Sequence, residues 1–170
     1  MLRMSKLADY GTVVMSYIAK QPERLISAGE IAHAIGLEQP TVSKLLKLMT
    51  HAGLLVSRRG AMGGYSLSRS PQSISVADII DAIEGAPMGL TECGSTPGLC
   101  TRESTCSVRA NWQRISQSIR GILADVKLND LILPEPQAIS WRKHIEGTTS
   151  PDSMNESMEA LHEHRNQVTG

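Results

Sequence analysis

Aromatic side chains are nearly missing from this chain of 170 residues, which has two Trp, three Tyr and no Phe. The core must therefore be aliphatic, and a hydrophobic content of 41% is enough to build one. The same scarcity argues against a single-strand or RNA-binding surface, because such surfaces stack bases on aromatic rings. No apolar run approaches the roughly 18–20 residues needed to cross a bilayer. The start, Met1-Leu2-Arg3-Met4-Ser5-Lys6, lacks the apolar stretch of a signal peptide. A cytoplasmic protein with no membrane partner is expected, in a compartment where thiols stay reduced. No nucleophile–base pair, phosphate loop or pair of acids stands out beyond chance, so neither an enzyme nor a small-molecule substrate is expected.

Net charge is also zero, but it is unevenly spread. Residues 1–70 carry nine Lys/Arg against four Asp/Glu, and residues 71–170 carry eight against thirteen. Any polyanion-binding surface belongs to the basic first part.

The periodicity of that part is helical. Ser5 caps a helix to about Lys20, with Leu7, Tyr10, Val14 and Ile18 recurring every three or four residues. Ser27-x-x-Glu30 has the form of a capping box, and the helix it opens stops at Gly36. After a turn of about four residues, Pro40 fits the start of a third helix, with Val42, Leu45, Leu46 and Met49 on one face. Helix, short glycine-containing turn and helix form a helix-turn-helix. Two strand-like runs follow, Leu54 to Arg58 and Tyr65 to Ser68, joined by Gly60-Ala61-Met62-Gly63-Gly64. A hairpin directly after a reading helix is a wing. Ser75-x-x-Asp78 opens a further helix through Glu84, with Ile74 and Ile79 as a hydrophobic staple. From about Ser107 the apolar positions Val108, Trp112, Ile115, Ile119, Ile122 and Val126 are spaced 4-3-4-3-4. That is a heptad seam, which needs a partner helix and points to a homodimer.

The expected fold is mainly α: a winged helix-turn-helix with a two-stranded β wing and a long C-terminal dimerisation helix. Residues 1–86 form the DNA-binding domain, 87–106 a cysteine loop and 107–133 the dimerisation helix. Residues 134–170, rich in proline, serine and scattered charge, are expected to be a disordered tail.

Double-stranded DNA is the expected partner. Gln39 and Thr41 open the third helix, where base contacts come from in this motif. Lys44 and Lys47 suit phosphates, and Ser43 suits a base edge or a phosphate. Arg58 and Arg59 sit at the mouth of the wing, suited to a minor groove with focused negative potential. Gly63 and Gly64 are expected to take positive φ and let the turn approach the duplex backbone.

All three cysteines, Cys93, Cys100 and Cys106, fall in one Gly/Pro-containing stretch before the seam. An odd number argues against a closed disulfide framework. Structural zinc uses paired spacings such as C-x2-C, which are absent. Three thiolates at longer spacing suit an iron–sulfur cluster with one non-thiolate ligand. The rival is a metal-free redox switch in which two of these thiols form a reversible disulfide. His33 and His51, within the helix-turn-helix, and His144, His162 and His164, in the tail, are expected to be packing or surface residues.

Together these features resemble a bacterial winged-helix repressor family that includes iron–sulfur cluster-assembly regulators and a nitric-oxide-sensing repressor. The resemblance covers about residues 1–130. It rests on Leu2 to Tyr10, on Arg59-Gly60-Ala61-Met62-Gly63-Gly64-Tyr65, on Ser75 to Ile80, and on the three cysteines before the long helix. Leu90 to Cys93 and Cys106 to Trp112 look most like regulators of the Suf cluster-assembly system. The resemblance implies a homodimeric DNA-binding repressor holding a [2Fe-2S] or [4Fe-4S] cluster and controlling cluster-assembly genes. One branch of that family completes its ligands with a histidine three residues after the third cysteine. Here Arg109 stands there, and as a cation it cannot ligate iron. Another branch uses a carboxylate in the first helix, supplied by the other subunit, and Asp9 matches that position. Glu92 and Glu103 are the local alternatives.

Overall fold

The computed structural model describes residues 4–60, 62–91, 98 and 100–134. Their elements are α1 (Lys6–Ala19), α2 (Ala28–Ile35), α3 (Gln39–His51), β1 (Leu55–Arg58), β2 (Gly64–Leu67), α4 (Val76–Glu84), α5 (Arg109–Asp125) and α6 (Leu128–Ile132), with one 3-10 turn at Pro71–Ser73. The winged helix-turn-helix is present, as the patterning predicts. Among the described residues, no helix is long and apolar enough to cross a membrane. Cys93, Glu92, Ala61 and the tail from residue 135 lie outside the described residues.

Local chemistry explains the boundaries. Ser5 accepts the Ala8 amide at 3.0 Å and starts α1. Ser27 accepts the Glu30 amide at 3.2 Å and starts α2. The Glu30 carboxylate does not close that box but lies 2.7 Å from Arg24. Gly36 and Gly85 end α2 and α4 in left-handed conformation, with φ of 66° and 75°. Pro40 is the second residue of α3, where its missing amide proton costs no helical hydrogen bond.

The core is aliphatic, as the composition requires. Val14, Met15 and Ile18 of α1 meet Ile31 of α2, Leu45, Leu46 and Met49 of α3, and Ile79 and Ile83 of α4. The expected stripe of α1 faces inward, with Val14 and Ile18 fully buried and Leu7 and Tyr10 packed at the edge of the core, but small residues also line that face. Ala8 and Gly11 are buried, while Leu7 and Tyr10 are only half-buried. The cause is the closeness of α4: a Cβ on Gly11 would collide with Ile83 Cδ1. Searching for large apolar residues overlooks a crossing built from small ones.

The C-terminal region holds the long helix α5 followed by the short α6. The Val76 amide donates to the Val126 carbonyl at 2.9 Å, and the Leu128 amide donates to Ile74 at 2.8 Å. This stitch ends α5 and delivers Leu128, fully buried, into the core of the reading head. Val126, the last position of the seam, packs on its own chain together with Leu123. Val108, Trp112 and Ile115 remain exposed, the last two at 40% and 44%.

The start of α4 is a complete capping box. The Ser75 hydroxyl accepts the Asp78 amide at 3.1 Å, and the Asp78 carboxylate accepts the Ser75 amide at 3.0 Å. Burial works against the charge on Asp78. Hydrogen bonds from Ser75 and the nearby Arg69 guanidinium outweigh it and hold the carboxyl below its ordinary range. A carboxylate depressed on folding contributes fully above its unfolded pKa and loses that contribution as pH falls through the folded value. Asp78→Asn should therefore lower the urea midpoint at neutral pH, and the gap from wild type should close in acid below the ordinary carboxylate range. A gap that stays constant across that range would show that the charge contributes nothing.

Candidate nucleic-acid interface and cysteine loop

The reading head is built by burying one face of α3 and exposing the other. Val42, Leu45, Leu46 and Met49 turn inward. Gln39, Ser43, Lys44 and Lys47 are exposed, and Thr41 is half-buried. The turn from α2 closes with the Leu37 amide donating to Ala32 at 3.1 Å.

The wing is held at its base. Leu55 pairs with Leu67 and Arg58 with Gly64 in an antiparallel ladder. Ile26, fully buried, forms a separate antiparallel bridge to β2, exchanging hydrogen bonds of 3.0 and 2.9 Å with Tyr65. Arg58 and Arg59 are exposed on the strand end and turn. The expected roles of the wing glycines need correction. The positive φ belongs to Gly60, at 116°, and not to Gly63 or Gly64. Gly63 is required because a Cβ there would collide with the Arg58 carbonyl. Gly64 is required because a Cβ would meet the Ile26 backbone at 2.8 Å.

Two features of this surface escaped sequence reasoning. Arg24 joins the groove beside the wing, where it lies with Glu30, Arg58 and Ser66. Met62 projects from the wing turn at 90% exposure. Neither belongs to a periodic pattern, so only the hairpin placement brings them to this surface.

The cations of α3 and the wing tip are uncommitted. Among the described residues the ion pairs are Arg24–Glu30, Arg69–Asp78, Arg109–Glu103 and Arg120–Asp81. None uses Lys44, Lys47, Arg58 or Arg59. Four cations without carboxylate partners, on one helix and the adjacent wing, form a surface suited to phosphates.

The cysteine loop runs from α4 to α5. Cys100 and Cys106 are free, half-buried thiols. The Glu103 amide donates to the Cys100 carbonyl at 3.1 Å, and the Arg109 amide donates to that of Cys106 at 3.4 Å. The Glu103 carboxylate, 13% exposed, accepts the Gly98 amide at 2.5 Å and pairs with Arg109 at 2.5 Å. Asp9 is exposed in the first turn of α1. Among the described residues no three His, Cys, Asp or Glu side chains converge on one point. The donor chemistry nevertheless fits a thiolate-held group, since two free thiols lie in one loop without a disulfide between them.

Comparison with known proteins agrees with this geometry. The family described as "Rrf2: Iron-dependent Transcriptional regulator" matches residues 4–134. Protein rrf2 of Nitratidesulfovibrio vulgaris is 29% identical over 134 residues, spanning 77% of this chain and 87% of that protein. Among solved structures, the global cysteine regulator CymR (YrzC) of B. subtilis is 32% identical with a TM-score of 0.61, covering 78% of this chain and 97% of that one. T. potens IscR is 31% identical with a TM-score of 0.59, covering 77% and 86%.

The glycine at the base of the wing gives a direct test of the packing. Gly64→Ala must push β2 away from Ile26, and overpacking of this kind costs about 1–3 kcal/mol. The urea midpoint should fall accordingly. An unchanged midpoint would mean that the wing is not pressed against Ile26.

Proposed function

The chain belongs to the Rrf2 family of transcriptional regulators and not to an enzyme family, and from that premise we propose that it is a cytoplasmic homodimeric repressor of cluster-assembly genes that senses iron–sulfur cluster status. The observation that carries the DNA-binding part is the set of unpaired cations on α3 and the wing, beside the exposed Gln39 and Ser43. In this reading Lys44 and Lys47 hold phosphates, while Gln39, Thr41 and Ser43 face base edges. Arg58 and Arg59 enter the minor groove on a turn shaped by Gly63 and Gly64. The exposed Val108, Trp112 and Ile115 supply the dimer contact, which sets the distance between the two reading helices.

The cysteine loop supplies the sensor. Cys93, Cys100 and Cys106 would hold the cluster, [2Fe-2S] or [4Fe-4S], with Asp9 of the partner subunit as the fourth ligand. When bound, the cluster supplies a group sensitive to oxygen and nitric oxide. The state of the loop biases the dimer between two populations, only one of which presents both α3 helices at the operator spacing.

A metal-free thiol switch is the second reading. It is favoured by the free state of Cys100 and Cys106 within one loop and by the likeness to the cysteine regulator of B. subtilis. Anaerobic purification separates the two. Visible absorbance with stoichiometric iron and sulfide supports the cluster, and their absence with a reversible Cys-to-Cys bond supports the switch. Under the cluster reading, changing any of the three cysteines to Ala should abolish the absorbance and leave the head folded. Asp9→Ala should keep a cluster with an altered spectrum and faster loss in air.

The DNA contacts are tested by salt. Lys44→Ala and Lys47→Ala should each weaken binding to every duplex and flatten the log–log salt slope by about one unit for each phosphate no longer neutralised. Unchanged slopes would remove both lysines from the interface.

A further inference from the structure

One carboxylate ties together the three parts that a sensor of this kind must connect. Asp81 lies on α4, whose Ile79 and Ile83 are buried in the core of the reading head. Its Oδ1 accepts the amide of Met88, at the root of the cysteine loop, at 2.8 Å. Its Oδ2 receives the Arg120 guanidinium of α5, Nη2 at 2.6 Å and Nε at 3.1 Å. Two residues further along, the Leu90 amide donates at 3.0 Å to the hydroxyl of Ser116, a buried residue of α5. The loop root is therefore pinned alternately to the reading head and to the long helix, three residues before Cys93.

The chemistry suits transmission better than stability. A partly exposed ion pair contributes little to folding, yet a two-oxygen carboxylate with one oxygen committed to each neighbour cannot shift toward one without straining the other. A rearrangement of the cysteines that draws on residues 88–90 must loosen the Met88 bond, rotate Asp81 or displace Arg120. Each of these alters the seat of α4, against which α3 packs. We propose that Asp81 is the positioning residue through which the state of the cysteine loop reaches the reading helix, with Arg120 carrying the same signal to the long helix. This rests on the reading of the loop as a sensor, whatever it senses.

The test compares two loop states in the full chain. The probe is a duplex selected from a random-sequence pool by the wild-type protein. Its dissociation constant is measured for cluster-loaded and apo protein under anaerobic conditions, and again for reduced and N-ethylmaleimide-alkylated thiols. The wild-type ratio should lie in the ordinary allosteric range of roughly 5–150-fold. Asp81→Asn keeps the acceptor for Met88 but removes the charge that holds Arg120. Arg120→Gln breaks the same link from the other side. Both should bring the ratio to within about two-fold of unity, with the tighter-binding state keeping near wild-type affinity. Arg69→Gln, which breaks an ion pair on α4 away from the loop, should leave the ratio intact. A purely structural role would weaken both states together and preserve the ratio. A wild-type ratio that survives in folded Asp81→Asn and Arg120→Gln overturns the assignment alone. A wild-type ratio of one in both comparisons overturns the sensor reading and the assignment with it.

Discussion

The close crossing of α1 and α4 is the constraint on which the rest of the molecule depends. Gly11 leaves the space that Ile83 fills, and a Cβ there would collide with the Ile83 methyl. With α4 seated so near, its Ile79 and Ile83 close the core over α1, and its packing against α3 sets the floor of the reading head. A fully buried Ile contributes about 1.5–3 kcal/mol. In a chain with two Trp, three Tyr and no Phe, such aliphatic contacts must carry nearly all the apolar stabilisation. The cysteine loop leaves from the end of this helix, and the long helix returns to its start through the Val76–Val126 hydrogen bond.

The elements were legible where sequence and local physics coincide. Serine caps at Ser5, Ser27 and Ser75, glycine stops at Gly36 and Gly85, and the inward stripe of α3 all appear where the pattern puts them. What was not legible depends on distance between segments. Gly11 reads as an interruption of an apolar stripe until α4 lies against it. The wing glycines look like conformational freedom, but Gly63 and Gly64 are fixed by neighbouring backbone, and the positive φ falls on Gly60. The seam from Val108 to Val126 has one period, yet its end packs on its own chain and its beginning stays exposed. A heptad pattern tells which residues share a face and not which body covers each part of it.

Charge is divided by purpose across the described residues. Asp81–Arg120 and Glu103–Arg109 join segments within the α4–loop–α5 region, and Asp78–Arg69 ties α4 to the segment after the wing. The cations of α3 and the wing tip are left without such partners. A surface that already paired its cations would have to break those pairs before it could meet phosphates, losing part of the counterion-release gain that drives duplex binding. Lys44, Lys47, Arg58 and Arg59 thus leave the head with usable positive charge, even though the whole chain is neutral.

The same ion pairs narrow the chemistry of the loop. Glu103 was a local candidate for the ligand that three cysteines leave open, but its carboxylate is engaged by the Gly98 amide and the Arg109 guanidinium. Withdrawing it would leave Arg109 further underpartnered, and the Arg109 Nε is already buried without a hydrogen bond. Among the described residues Asp9 enters no ion pair, and it is exposed in the first turn of α1. Arg109 thus does two things at the position where a related branch has histidine. As a cation it cannot ligate, and it engages the Glu103 carboxylate in an ion pair. Under the proposed reading, a ligand drawn instead from a first helix would make the sensor depend on how two subunits sit together, the same quantity that operator spacing reads.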